Sequence, residues 1–487
     1  MFTTILILSR KMVQVSGNGY ASHAAGTYED AIRALNSLQS NAAYLRNVKN
    51  HKPKTNNTLD LTKKYLKRSG ISLEQLDGLS VIHVAGTKGK GSACAFTERI
   101  LREHGFKTGL YTSPHLISVR ERIRINGKPI EEDKFTKYFW KLYKVLESDR
   151  DHETDMPPYF KFLTLLMFHI LMQEPVDVAI IEVGIGGEHD CTNIVRNPVC
   201  VGITSLGFDH TNLLGTTMQE IAYQKSGIFK SGTVAFSVPQ PVEATGVLET
   251  RAVEKNCSLS FVEPLQKYTW PNGETPKLGI LGDFQAYNAS IAVSMARTWM
   301  NFNSMKKRLS FSFDTAASAL SRCQWPGRTQ ILRGEKIDFY LDGAHTIESI
   351  ECGAKWFAES IGASSGKRVL IFNTTGNRDF VKMLRILRSL NFDQVYFTPN
   401  VAGKLTIVDQ INYNTPNEEQ IKRCQQHQDF WGVSAICVES VTEALHNIRN
   451  EVPSPEGRIQ VLVTGSLHLV GAALTILDPN LSMRTTL

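Results

Sequence analysis

Residues 80–92 read S-V-I-H-V-A-G-T-K-G-K-G-S, and the order of residue types in that run decides the fold. Ser80 to Ala85 is a short aliphatic stretch of the kind that forms a buried strand. A glycine-rich turn follows. Beyond it Ala95, Phe96, Ile100 and Leu101 recur with helical spacing, and Gly105 supplies a C-cap, so the run predicts strand, loop and helix in succession. Glycines let backbone amides turn inward, and a helix N-terminus with a lysine adds positive potential. The run is therefore read as a phosphate cradle. It departs from G-x-x-x-x-G-K-[ST], because Val84 stands where the first glycine belongs and Gly91 where the hydroxyl belongs, although Lys90 still follows Gly89.

The same alternation continues outward from this point. Further strands are expected at 108–113, 176–183 and 199–206, and the third run, V-D-V-A-I-I-E-V, is apolar enough for burial on both faces. Past residue 300 the texture changes through the basic, polar stretch Asn301–Arg308 towards Trp325-Pro326-Gly327-Arg328. Strands then recur at 337–342, 368–373, 393–398, 434–439 and 459–464, with a helix whose stripe is Phe380, Met383, Leu384 and Leu387. The expected class is α/β: an N-terminal phosphate-loop domain with a mostly parallel sheet, then a smaller C-terminal Rossmann-like domain. The boundaries fall at 1–28 for a leader or tail, 29–322 for the first domain and 323–487 for the second.

Composition narrows the classes. A chain of 487 residues exceeds a single core, and 42% hydrophobic with 21% charged residues is ordinary for a globular protein. The net charge of +7 is spread without a basic run, so nucleic acid is not an expected partner. Eight scattered cysteines without C-x-x-C spacing suggest neither zinc nor a disulfide framework. No apolar run has the length of a membrane span, so no stable membrane insertion is expected. The first 28 residues carry Arg10 and Lys11 with no acidic residue before Glu29, which resembles a mitochondrial presequence. Initiation at Met12 would omit the apolar segment, so dual mitochondrial and cytoplasmic products are expected.

Polar residues at the C-terminal ends of parallel strands are the candidate ligands for a cation beside the loop. Ser113 ends the second strand, Glu182 nearly ends the third and Asp209-His210 follows the fourth. Ser92 is a rival by general phosphate-loop logic. Taken singly, each such residue is more often a cap or a satisfied polar group.

The variant loop G-T-K-G-K-G-S is similar to that of the Mur ligase superfamily, and in particular to folylpolyglutamate and dihydrofolate synthases. Matching segments follow in order: T-S-P-H-L at 112–116, E-R-I-R-I-N-G at 121–127, E-V-G-I-G-G-E-H-D-C-T-N at 182–193, L-G-F-D-H-T at 206–211 and Q-K-S-G-I-F-K at 224–230. W-P-G-R-T-Q at 325–330, D-G-A-H-T at 342–346 and V-T-G-S-L-H-L-V-G at 463–471 complete the set. The resemblance is nearest to the eukaryotic folylpolyglutamate synthases.

That resemblance implies an ATP-dependent ligase that adds L-glutamate to folate through an acyl phosphate, acting as a monomer. Thr87, Lys88, Gly89, Lys90, Gly91, Ser92, Asn288, Arg328 and Asp342 would bind ATP. Ser113, Glu182 and His210 would hold Mg2+, a carbamylated Lys225 would serve a second Mg2+, and there is room for a monovalent cation. Lys90, Lys225, Arg328 and His345 are the implied catalytic set, with His345 and Ser466 at the glutamate. Arg120, Arg122 and Arg124 could pair with folate carboxylates, against the plainer reading of a charged strand face. Two alternatives stay open: a dihydrofolate synthase, and a phosphate-loop kinase or non-catalytic nucleotide binder.

Overall fold

A strand with no solvent-facing side suits the interior of a sheet, and the computed structural model puts Val81–Ala85 there, buried along its whole length, with its one polar residue, His83, hydrogen-bonded to Thr192. The structure describes residues 26–38, 58–307, 309–362, 366–376, 378–403, 417–450 and 458–485. Strand β1 is Val81–Ala85, β2 Thr108–Tyr111, β3 Ile123–Ile125, β4 Lys128–Pro129, β5 Val178–Glu182, β6 Cys200–Ile203, β7 Val234–Ser237 and β8 Ser258–Phe261. They form one sheet in the order β4-β3-β2-β5-β1-β6-β7-β8, in which β3 and β4 run antiparallel and the others parallel. The phosphate loop thus leaves the sheet between the ends of β5 and β6.

Period-two alternation divides this sheet between two layers. Val81, Ala179 and Ile181 pack against helices 28–37, 58–68, 132–148 and 159–173, while Ile82, Val84, Val178 and Ile180 pack against helices 90–103, 285–307 and 313–322. Each large apolar side chain buried in this way contributes about 1.5–3 kcal/mol. Helix 58–68 is also pinned by charge: buried Asp155 accepts from Arg68 at 2.7 Å, Tyr65 at 2.8 Å and Lys64 at 3.0 Å.

A second sheet follows, made of β9 (Gln330–Arg333), β10 (Ile337–Leu341), β11 (Lys367–Phe372), β12 (Gln394–Phe397), β13 (Ala435–Cys437) and β14 (Ile459–Thr464). Its order is β13-β12-β11-β14-β10-β9, with only β9 antiparallel. Helices 347–361 and 380–388 cover one face; helices 441–450 and 467–477 cover the other. The α/β class with two mostly parallel sheets is as expected.

Three details differ from the sequence reading. The polar stretch 301–307 is the end of the long helix Gln285–Lys307 and not a break in structure. The first described helix starts at Tyr28, with Thr27 as its N-cap and Tyr28 buried, so the folded unit includes two residues assigned to the leader. Residues 1–25 of that leader, with Met12, lie outside the described residues. Strands β4, β7, β8 and β9 are additions that the sequence reading does not contain, and β3 enters it only as the charged strand face suggested for Arg120, Arg122 and Arg124.

Candidate active site

The loop that leaves β1 is shaped by glycines where no other residue fits. Gly86 has φ +146° and Gly89 φ +85°, and an added Cβ would collide with the Thr204 side chain at the first and the Asn288 amide at the second. Both contacts keep the loop backbone open towards the helix N-terminus at Lys90. Thr87 and Lys88 donate their amides to Ser205 O at 2.9 and 3.0 Å, which ties the loop to the end of β6. Gly91 is less constrained, since a Cβ there would meet only ordinary contacts.

Glu182 is buried at the end of β5, 3.8 Å from the Lys90 ammonium, and its Oε2 accepts from the Ser113 amide at 2.9 Å. Burial raises its pKa, while Lys90, the Ser113 amide and Arg328 pull it down. The cis peptide Ser113–Pro114 lies at the same edge. His210 is half-exposed in the left-handed region at φ 50°. Desolvation shifts its titration downward, with Asp209 opposing and the cations Lys90, Lys225 and Arg378 reinforcing.

Ser113, Glu182 and His210 therefore line one cavity, a cleft of about 1520 Å³. Among the described residues no three His, Cys, Asp or Glu side chains gather as a metal cage. One buried carboxylate, one hydroxyl and one imidazole fit a magnesium ion that keeps waters and takes phosphate oxygens, as that ion usually does. Ser92, the rival, is buried and accepts from Gln285 Nε2 at 3.3 Å. Lys225 is buried with its ammonium donating to Gly86 O at 2.8 Å; burial and the charge of Lys90 lower its pKa to about 7.

The second sheet supplies the opposite wall. Asp342, buried, accepts from the amides of Thr329 at 2.8 Å and Ala344 at 2.9 Å. Its pKa is raised by burial and lowered by Arg328. The pKa of the Arg328 guanidinium is itself lowered by burial, with Asp342 and Glu182 opposing. His345 Nδ1 is 3.0 Å from Gly343 O, and its Nε2 is 3.9 Å from Asp209. Two ion pairs cross the cleft: Lys88 to Glu348 at 2.7 Å and Arg378 to Asp209 at 3.2 Å. Burial would raise the Asp209 pKa, but the His345 hydrogen bond and the charges of His210 and Arg378 hold it well below the usual carboxylate range.

Every ATP, magnesium and catalytic candidate from the sequence lines this one cleft. Ser466 is the exception among the glutamate candidates: it is buried, and its hydroxyl accepts from the His468 amide as the N-cap of helix 467–477. The charged-strand-face reading of Arg120, Arg122 and Arg124 does not hold for the last two, which are buried. Arg124 stacks on Trp325 at 4.8 Å, and Arg122 donates to His115 Nδ1 at 2.8 Å with its guanidinium 5.5 Å from the Tyr159 ring. Arg122 also lines the cleft; among the described residues it forms no ion pair, but its charge helps to pull down the pKa of buried Glu182. Sequence reasoning assigned no role to Arg423 and His468 on this cleft, nor to Arg378, which pairs with Asp209 at its edge: Arg423 sits in a polar helix with no distinguishing spacing, and His468 lies within the matched V-T-G-S-L-H-L-V-G segment without being singled out.

A phosphate loop on one parallel sheet, faced across a cleft by a second α/β unit bearing an enclosed arginine and a buried aspartate, defines the class of ATP-dependent ligases with the two-domain Mur ligase fold. No protein-family model matches the sequence. The apo form of L. casei FPGS superposes with a TM-score of 0.70 at 24% identity, covering 92% of this chain and 99% of its own. E. coli FolC in complex with DHPP and ADP gives a TM-score of 0.67 at 25% identity, covering 91% of this chain and 100% of its own. The Bos taurus protein named folylpolyglutamate synthase, mitochondrial, is 41% identical over 544 residues, 93% of each chain. The chain belongs to the folylpolyglutamate synthase family.

Proposed function

We propose that this ligase adds L-glutamate to the γ-carboxylate of tetrahydrofolate and its polyglutamates, consuming ATP and releasing ADP and phosphate. The observation that carries the reading is the meeting, in one cleft, of a phosphate loop and a buried arginine, Arg122, that forms no ion pair among the described residues although its charge reaches Glu182. Such an arginine suits a substrate carboxylate, which a charge-assisted pair would hold in place.

The chemistry follows from charge. An oxygen of the substrate γ-carboxylate attacks the terminal phosphorus of ATP, and ADP leaves. The amine of glutamate, having lost a proton, then attacks the acyl carbon, and phosphate departs. Magnesium, when bound through Ser113, Glu182 and His210, would neutralise phosphate charge. The loop amides and Lys90 hold the phosphates, Arg328 approaches from the second wall, and Arg122 holds the folate end. Closing the cleft keeps water from the acyl phosphate. Lys225, with an amine near neutrality at its pKa of about 7, is suited to carbamylation and a second magnesium. Both walls come from one chain, which suits a monomer.

The relative from Bos taurus is named as mitochondrial. Together with Arg10, Lys11 and the absence of acidic residues before Glu29, this supports mitochondrial targeting, with a cytoplasmic product from Met12. The purified protein incubated with ATP, Mg2+, tetrahydrofolate and labelled glutamate should give stepwise longer folates. Incorporation only with dihydropteroate would reassign it as a dihydrofolate synthase, and formation of AMP and pyrophosphate would refute the acyl phosphate.

A further inference from the structure

The wall formed by the second sheet carries several cations, and they differ in how they are neutralised. Arg328 lies near the buried Asp342 and Glu182, and Arg378 is paired with Asp209, which is largely enclosed. Lys88 reaches this wall and is paired with Glu348.

Arg423, on helix 417–431, is buried and lines the same cleft. One of its amino groups donates to Thr374 O at 2.9 Å. Its acidic partner, Glu419, is 3.3 Å away with a side chain 59% exposed, so water screens that charge. Of the arginines on this wall, Arg423 thus keeps the most uncompensated charge. Its surroundings are those of a polar subsite. Gln420, one turn earlier, accepts from the Asn400 amide at 2.9 Å, and Gln420, Asn400 and Thr375 line the cleft beside it. The Asn400 Oδ1 is buried without a hydrogen-bond partner.

We propose that Arg423 binds a carboxylate of the incoming amino acid and sets the preference for an acidic side chain. The inference rests on the reading above that this amino acid is glutamate. A buried guanidinium held by a carbonyl through one amino group, and by a water-screened, exposed carboxylate through the other, can exchange that carboxylate for one of the substrate. A neutral side-chain amide in the same place would leave that charge unanswered, so glutamine is rejected.

The test is steady-state kinetics on the full chain, with L-glutamate and L-glutamine as competing amino acids. Arg423→Met should raise KM for glutamate by about 10- to 100-fold, the worth of a hydrogen bond to a charged group, with KM for ATP within about twofold. The preference for glutamate over glutamine should fall by a similar factor. Gln420→Glu keeps the acceptor for the Asn400 amide yet places a negative charge one turn from Arg423, so it should weaken glutamate in the same way should Arg423→Met not fold. If Arg423 merely braces the Thr374 loop, kcat would fall for both amino acids alike with their ratio unchanged, and that result overturns the proposal. Wild-type protein that incorporates no glutamate at all would instead sink the functional reading on which it depends.

Discussion

Lys225 gives the sharpest quantitative prediction, because burial has moved its pKa from 10.5 to about 7. A fall of that size corresponds to roughly 4–5 kcal/mol between protonated and neutral forms. The sign follows from proton binding. Between pH 7 and about 10.5 the unfolded chain binds the proton that the folded chain has released, so stability rises with pH across this window. Below pH 7 both states are protonated and the full cost remains. Lys225→Met fills the same space without a charge and should be more stable than wild type near neutrality. The difference in urea midpoint between the two proteins, followed from about pH 6.5 to 10 in chelated buffer free of carbon dioxide, should be largest at the acid end. It should shrink steadily as the pH rises. A difference that stays constant with pH would mean that the Lys225 ammonium is well solvated, and the argument for a carbamate at this position would fail with it.

Three further perturbations address the site and the scaffold. Glu182→Gln keeps the shape of a buried side chain, so thermal stability should hold while turnover drops by about 100-fold or more in a single-turnover assay with ATP. Arg122→Met should raise KM for the folate substrate about 10- to 100-fold and leave KM for ATP nearly unchanged, since it strips a charge-assisted pair from one ligand only. Asp155→Ala breaks a buried pair with Arg68 and should cost about 3–5 kcal/mol in denaturant unfolding with kcat preserved in the surviving folded protein. For wild type, burial alone would raise the Asp155 pKa, but its bonds to Arg68, the Asp151 amide, Tyr65 and Lys64 hold it low. The stabilisation from this carboxylate is thus complete above the ordinary Asp value near 4 and fades as acid protonates it, a dependence that Asp155→Ala should lack.

The parts of the fold legible from sequence are those whose residues carry the whole signal locally. β1 and β5 are mostly aliphatic because helices cover both faces, interrupted only by buried His83 and ended by Glu182, and the loop after β1 shows its glycines openly. β8 is the opposite case: it lies at the sheet edge, its residues are largely exposed, and Ser-Leu-Ser-Phe has no apolar run to notice. The β3–β4 hairpin had its signal in Asn126-Gly127, both at positive φ, but flanking strands of three and two residues are too short for alternation to appear. Among site residues, Glu182 was legible as a polar end to an apolar strand. Arg122 was not, because R-E-R-I-R looks like a solvated surface until His115 and Tyr159 are seen around it. Nor does any local pattern announce Lys88 and Glu348, partners separated by 260 positions.

The place of β14 has a bearing on biosynthesis. β14, the last strand among the described residues, is inserted between β10 and β11, so those two strands have no shared neighbour until residues 459–464 emerge from the ribosome. Until that moment the wall bearing Arg328, Asp342 and His345 lacks its middle. A stop codon shortly before Ile459 would remove the strand at the middle of that wall and forfeit the enzyme as surely as a lesion in the glycine loop.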